Sequence, residues 1–304
     1  MKLIVRGLSA LVFMMISVWL PQAEAKQVKT FVSIAPQQYF VQRIGGELVE
    51  VSVLVPAGAD PHTYEPKPRQ MAELAKTAVY FTVGIDFEKA WIKKIAATNP
   101  EMRIVNTDAG IEKMALPAHR HEGKGHTHSH DNKKSAHSHD HAGGPDPHLW
   151  LSPPLVKVQA KQIADGLIAV DSVNRTRYEN NLADFVREIE ALDAELKGLF
   201  AGSPGARFMV FHPSWGYFAQ AYGLEQVPIE IEGKDPKPAQ LTELIHHARE
   251  QGIKVVFVQP QFSARSAEMV AREIGGQVVA IDPLAANWAE NLRAVGRRFK
   301  AAFP

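Results

Sequence analysis

Short apolar runs recur along this chain, separated by stretches whose apolar positions fall at helical spacing. Val28 to Ile34 reads as a strand, Pro36 to Ile44 as a helix closed by Gly45-Gly46, and Val51 to Val55 as a short, nearly continuous apolar strand. Met71 to Lys76 belongs to a helix, Val79 to Val83 is a strand, Glu88 to Ala97 a helix, and Met102 to Val105 a strand. Strands that alternate with helices in this way build parallel sheets from βαβ units. After a helix beginning near Pro153 comes the clearest element. Tyr178, Leu182, Phe185, Ile189, Leu192, Leu196 and Leu199 follow alternating steps of four and three. That is one apolar stripe on a helix from Asn174 to Phe200, about 40 Å long at 1.5 Å per residue. It covers fewer than four heptads, which suits a backbone lying across two domains better than a coiled coil.

A second strand–helix series follows the break at Gly202-Ser203-Pro204-Gly205. Its strands are Arg207–Phe211, Gln226–Ile231, Val255–Val258 and Val278–Ile281. Its helices are Trp215–Tyr222, Pro238 to about Gln251, Ala264–Ile274 and a last one from Asn287. The expected fold is therefore α/β, two Rossmann-like lobes joined by one long rigid helix. The boundaries fall at 26–172 for the first lobe, 173–202 for the linker helix and 203–304 for the second lobe.

Residues 1–25 read as an export signal: Lys2 and Arg6 ahead of an apolar core from Leu8 to Leu20, then Ala23-Glu24-Ala25 as a cleavage site. The apolar core is short of the roughly 20 residues that a spanning helix needs. The chain has no cysteine, which excludes thiolate metal sites, disulfides and a lipid anchor on cysteine. A soluble exported chain without an anchor fits the periplasm. With 34 basic and 33 acidic residues, nothing steers it to nucleic acid.

The segment 118–144 breaks the pattern. It carries His119, His121, His126, His128, His130, His137, His139 and His141 among Gly, Ser, Lys and Asp. A tract so poor in apolar residues cannot offset its ordering entropy and is expected to be a mobile loop. Elsewhere, single histidines or acids stand in Asp60-Pro61-His62, Asp146-Pro147-His148-Leu149-Trp150, Phe211-His212-Pro213 and Ile281-Asp282-Pro283. His62, His212 and Asp282 follow strands, where ligand sites of open α/β sheets lie. His148 precedes a helix and has no such placement. Each residue alone also reads as a surface or hydrogen-bonded side chain, and Asp282 before proline also reads as a turn former. His246 and His247, among Glu243, Arg249 and Glu250, read as a solvated helix face. Imidazoles with one carboxylate suit a tetrahedral zinc shell.

The run Val55-Pro56-Ala57-Gly58-Ala59-Asp60-Pro61-His62-Thr63-Tyr64-Glu65-Pro66 resembles the first-histidine signature of metal-binding proteins that serve bacterial ABC importers. Asp146 to Pro153 resembles their second signature, Phe211 to Phe218 their third, and Ile281 to Leu284 their terminal carboxylate. The resemblance spans the mature chain, the long helix included. It implies two lobes on a rigid helix, with one Zn2+ held as transported ligand by His62, His148, His212 and Asp282. It also implies an inner-membrane ABC permease as partner, a monomer, and no enzymatic activity. Zinc members of that family carry histidine at the third position, as His212 does, and a histidine-rich loop before the second; manganese members place a carboxylate third. The cysteine pair of some zinc members is missing here. The loop histidines would act as weaker auxiliary ligands that raise local zinc concentration.

Other readings stay open at this point. A manganese- or iron-binding member of the same family, an adhesin and a metal buffer share the pattern. A zinc hydrolase or lyase would need a general base beside the three histidines. Glu65 and Glu230 are the candidates near them in sequence, and a helical His-Glu-x-x-His is absent.

Overall fold

The computed structural model describes residues 27–116, 144–231 and 233–303. The expected export signal and the tract histidines His119 to His141 lie outside those residues. The chain runs β1 (Val28–Val32), α1 (Ala35–Gly45), β2 (Val49–Val53), α2 (Pro68–Leu74), β3 (Val79–Thr82), α3 (Asp86–Thr98) and β4 (Arg103–Asn106). Then follow α4 (Pro153–Val170), α5 (Arg175–Phe200), β5 (Arg207–Val210), α6 (Gly216–Ala221), β6 (Glu225–Pro228) and α7 (Pro238–Glu250). The last elements are β7 (Val255–Val258), α8 (Arg265–Glu273), β8 (Gln277–Ala280) and α9 (Trp288–Ala302).

The strands form two four-stranded sheets, ordered β2-β1-β3-β4 and β6-β5-β7-β8, with every pair parallel. All four side chains of β3 are buried, as expected of a parallel strand covered on both faces. The two-lobed α/β reading holds. Several strand ends differ from the expected ones. The strand expected over Gln226–Ile231 runs Glu225–Pro228, although Ile229 and Glu230 still donate to the carbonyls of Val210 and Phe211.

A repeat ties the lobes together that the apolar pattern does not reveal. Glu65-Pro66-Lys67-Pro68-Arg69-Gln70 in the first lobe matches Asp235-Pro236-Lys237-Pro238-Ala239-Gln240 in the second. Each copy starts the helix after the sheet's edge strand. In each, the glutamine Oε1 accepts the backbone N–H of the lysine at 2.9 Å.

One apolar core runs through both lobes, because α5 packs against α1 and α4 of the first lobe and against α9 of the second. Tyr178, Phe185, Ile189, Leu192, Leu196 and Phe200 are its buried side. Gly296 on α9 permits the close approach, since a Cβ there would come within 2.8 Å of Leu196. A second, smaller cluster packs α7 and α8 on the outer side of the second sheet. Among the described residues no helix is long and apolar enough to cross a membrane.

In both sheets the strand order reverses at the central pair, so the crevice opens at the carboxyl ends of β1 and β3 and of β5 and β7. In the first lobe this place is filled by a polar knot. Glu88 accepts N–H bonds from Val83 at 2.9 Å and Gly84 at 2.7 Å and a hydroxyl bond from Ser33, which also meets the Tyr80 hydroxyl at 2.7 Å. In the second lobe it is occupied by His212.

A three-histidine cluster in the cleft

Three Asp-Pro-X turns face the cleft, and all three close in the same way. Asp60 Oδ1 accepts the backbone N–H of His62, Asp146 Oδ1 that of His148, and Asp282 Oδ1 that of Leu284, each at 2.9 Å. Short aspartate side chains make such turns because the carboxylate replaces a backbone carbonyl two residues back. His62 sits on the loop between β2 and α2. His148 begins the 3-10 turn Leu149–Leu151, and His212 lies two residues past β5. The segment carrying His148 is wedged against the second lobe. Tyr217 donates its hydroxyl to the Asp146 carbonyl at 2.9 Å, and Trp150 Nε1 donates to the Pro283 carbonyl at 2.7 Å.

The three imidazoles meet. One ring nitrogen from each of His62, His148 and His212 lies within 4.8 Å of the others, with ring centroids 5.0–5.5 Å apart. Each ring turns its Nδ1 outward to a carboxylate. His62 Nδ1 is 3.2 Å from Asp86, His148 Nδ1 is 2.7 Å from Asp146, and His212 Nδ1 is 2.8 Å from Glu230. A carboxylate only accepts, so each Nδ1 carries the proton and each Nε2 a lone pair. The Nε2 of His62 is buried with no hydrogen-bond partner. Those of His148 and His212 face each other at 3.4 Å. Two lone pairs at that distance repel unless a proton or a cation lies between them.

A tetrahedral zinc ion would satisfy them. Two imidazole nitrogens each about 2.0–2.1 Å from such an ion stand about 3.4 Å apart. Carboxylates behind ligating histidines fix the tautomer and raise ligand basicity, and that is the arrangement here. Burial pulls the His148 imidazole down to about 4; Asp146 opposes the shift and the neighbouring His212 and His62 add to it. The ring is therefore neutral at pH 7 and open to a metal.

Asp282, expected as a fourth ligand, is not part of the 4.8 Å group. Its Oδ1 also accepts from Gln261 Nε2 at 2.9 Å. Glu230 is engaged behind His212, and Glu65 is exposed and outside the 4.8 Å group. His246 and His247 lie on α7, outside the cluster. Sequence reasoning missed the roles of Asp86 and Asp146, and read Glu230 only as a possible base. It also missed Gln259 and Phe262. Gln259 accepts from His212 N at 3.2 Å and donates to its carbonyl at 2.7 Å, while Phe262 stacks on the His212 ring at 4.6 Å. Asp146 had a signal, since it shares its turn with His148. Asp86 and Phe262 had none.

The carboxylates should matter unequally. The side chains of Asp146 and Glu230 are 1% and 6% exposed, whereas that of Asp86 is 53% exposed and also accepts from Lys89. Asp146→Asn and Glu230→Gln should each weaken zinc binding by about 10–100-fold, and Asp86→Asn by less. Competition with a chelating dye measures all three, and equal losses would contradict this order.

Two buried groups pull stability against pH in opposite directions. Desolvation pushes the Glu88 carboxyl up to about 7, with Asp108 adding and the bonds from Ser33, Val83 and Gly84 opposing. The folded chain thus keeps that proton between about 4.5 and 7 while the unfolded chain releases it, so this contribution to stability falls as pH rises. The lowered His148 does the reverse, and its contribution is lost as pH falls below about 6.5. Glu88→Gln removes the first effect. The metal-free variant should gain stability relative to the parent as pH rises from 5 to 7.5, by up to about 3 kcal/mol. The comparison concerns the slope, because the amide cannot accept from both Val83 and Gly84. Parallel denaturation profiles would show that Glu88 titrates normally.

A cleft between two α/β lobes on a long helix, closed over three convergent and otherwise unpartnered imidazole nitrogens, defines a two-lobed metal-binding protein. The model of the zinc-uptake complex component A, periplasmic, matches residues 31–302, and the chain belongs to that family, whose members are metal-binding solute-binding components of transporters rather than enzymes. It is 31% identical over 253 residues to the high-affinity zinc uptake system protein ZnuA of Bacillus subtilis, covering 82% of this chain and 76% of that one. It is 28% identical over 247 residues to the manganese ABC transporter substrate-binding lipoprotein PsaA of Streptococcus pneumoniae, covering 76% and 72%. Among solved structures it resembles a crystal structure of ZnuA with a TM-score of 0.81 and 43% identity, over 91% of this chain and 99% of that chain. A zinc-bound deletion mutant of ZnuA is also 43% identical, with a TM-score of 0.80 over 91% of this chain and 98% of that one.

Proposed function

We propose that the protein captures one zinc ion between His62, His148 and His212 in the periplasm and delivers it to an inner-membrane ABC permease as a monomer. The observation that carries the reading is the set of three inward Nε2 atoms without donors, two of them 3.4 Å apart. The donor set argues for zinc over manganese, since borderline nitrogen ligands suit zinc and carboxylates suit the harder ion. Relatives that take up or bind zinc and a family of periplasmic zinc-uptake components support it. The leader-like residues 1–25 agree with export. The lobes are taken as 26–172 and 203–304, with 173–202 as the linker.

The histidine tract fits an auxiliary role. Its flanks meet at an antiparallel bridge between Ala115 and Pro145, three residues before His148. Zinc held weakly by His119 to His141 would be concentrated beside the cleft. Titration calorimetry on the metal-free protein should show one tight zinc site plus weaker ones, and deletion of residues 118–144 should remove only the weaker. Loss of the tight site on that deletion would move the primary site into the tract.

A further inference from the structure

The segment from Gln259 to Phe262, between β7 and α8, touches the cleft three times. Gln259 brackets the His212 backbone and Phe262 covers its ring. Gln261 does neither. Its Nε2 donates to Asp282 Oδ1 at 2.9 Å, and its Oε1 is buried with no donor. An amide kept partly buried with its oxygen unsatisfied costs stability, and the one bond it makes restrains Asp282. The Asp282 backbone is fixed separately, its carbonyl accepting from Asn291 Nδ2 at 2.8 Å. Only the carboxylate is left to be placed. Asp86, Asp146 and Glu230 each back a histidine of the cluster, whereas the two bonds to the Asp282 carboxylate, from Gln261 and from Leu284 of its own turn, both fall on Oδ1.

We propose that Gln261 is a specificity-determining residue that holds Asp282 out of the metal shell. The proposal rests on the reading of the three-histidine cluster as the zinc site. With Asp282 withheld, the ion meets three neutral nitrogens and one small ligand from solvent, a compact shell that zinc tolerates. With Asp282 admitted, the shell gains a charged oxygen donor able to bind through one or both oxygens. Hard ions such as manganese gain more from that than zinc does. The glutamine therefore acts against the wrong ion rather than for the right one, a route to selectivity by exclusion.

The test uses the full chain in metal-free form with Gln261→Leu, which keeps the volume and removes the donor, and with Gln261→Glu, which turns the donor into a repelling charge. Zinc and manganese dissociation constants come from chelator competition, and the coordination number from the visible spectrum of the cobalt(II) form. Both variants should lower the ratio of the manganese to the zinc constant at least tenfold and weaken the cobalt absorption as the coordination number rises. Adding Asp282→Asn to Gln261→Leu should restore both. An unchanged ratio and cobalt spectrum in both variants would overturn the proposal. So would a tenfold loss of zinc affinity from Asp282→Asn alone, because Asp282 would then already be a ligand. Unchanged zinc affinity in His212→Ala is a different failure: the cluster reading itself would fall, and the proposal with it.

Discussion

Replacing His148 or His212 with alanine should weaken zinc binding by about 100–1,000-fold without unfolding the protein. The magnitude follows from the roughly 10–16 kcal/mol typical of a four-ligand zinc site, about 2.5–4 kcal/mol for each ligand, and each 1.4 kcal/mol is tenfold in affinity. His148 and His212 belong to the part of the site that is assembled without metal. Their rings are buried, their Nδ1 atoms are held by buried carboxylates, and their Nε2 atoms already stand 3.4 Å apart. No ordering cost remains for these two when the ion arrives, so nearly the whole of each ligand's contribution should be lost on truncation.

The fold should survive because neither ring belongs to the apolar core. Truncation does leave Asp146 or Glu230 buried without its N–H donor, a loss of about 1–3 kcal/mol, while it also removes the opposed lone pairs. Zinc at 1,000 times the dissociation constant adds about 4 kcal/mol to the parent's stability, and the variants should lose most of that increment at the same zinc concentration. Chelator competition reads the affinity, and melting curves with and without zinc read the increment. A variant that keeps the zinc increment but melts several degrees lower without metal would make the ring a structural side chain.

How much of this was legible beforehand depends on the range of each cause. The two lobes and the long helix come from local periodicity. The stripe from Tyr178 to Leu199 predicted α5 to within a residue at its start, because only a helical period fits those positions. Strand ends were less legible, since a ladder stops where its partner does. The three histidines stood out because each follows a turn or strand end that the sequence marks. Two of their carboxylates did not, Asp86 being 24 residues from His62 and Glu230 18 from His212. Pairing across such distances is decided by how helices and strands pack. Asp282 shows the converse. Its Asp-Pro turn was visible, but Gln261, which donates to its carboxylate, lies in another loop.

Trp288→Ala should cost about 3–5 kcal/mol of metal-free stability, the usual loss for a large aromatic truncated in a core. Trp288 opens α9 in the second lobe and is 1% exposed. Its ring meets Phe40 of α1 edge-on at 5.1 Å and Phe185 of α5 at 6.3 Å. One side chain thus joins both lobes and the linker helix. Its Nε1 donates to the Trp150 carbonyl at 2.6 Å, and Trp150 in turn donates to Pro283 at 2.7 Å. These two bonds hold the segment that carries His148 against the second lobe, two residues from the ligand. Stability and metal affinity should therefore fall together. Trp288→Phe separates the contributions, since it keeps most of the packing and loses the N–H, which should cost about 1–3 kcal/mol. Urea unfolding of the metal-free forms gives the first quantity and dye competition for zinc the second. A loss near 1 kcal/mol in Trp288→Ala with unchanged zinc affinity would mean that the lobes are held by α5 alone and that the His148 segment keeps its place without this bond.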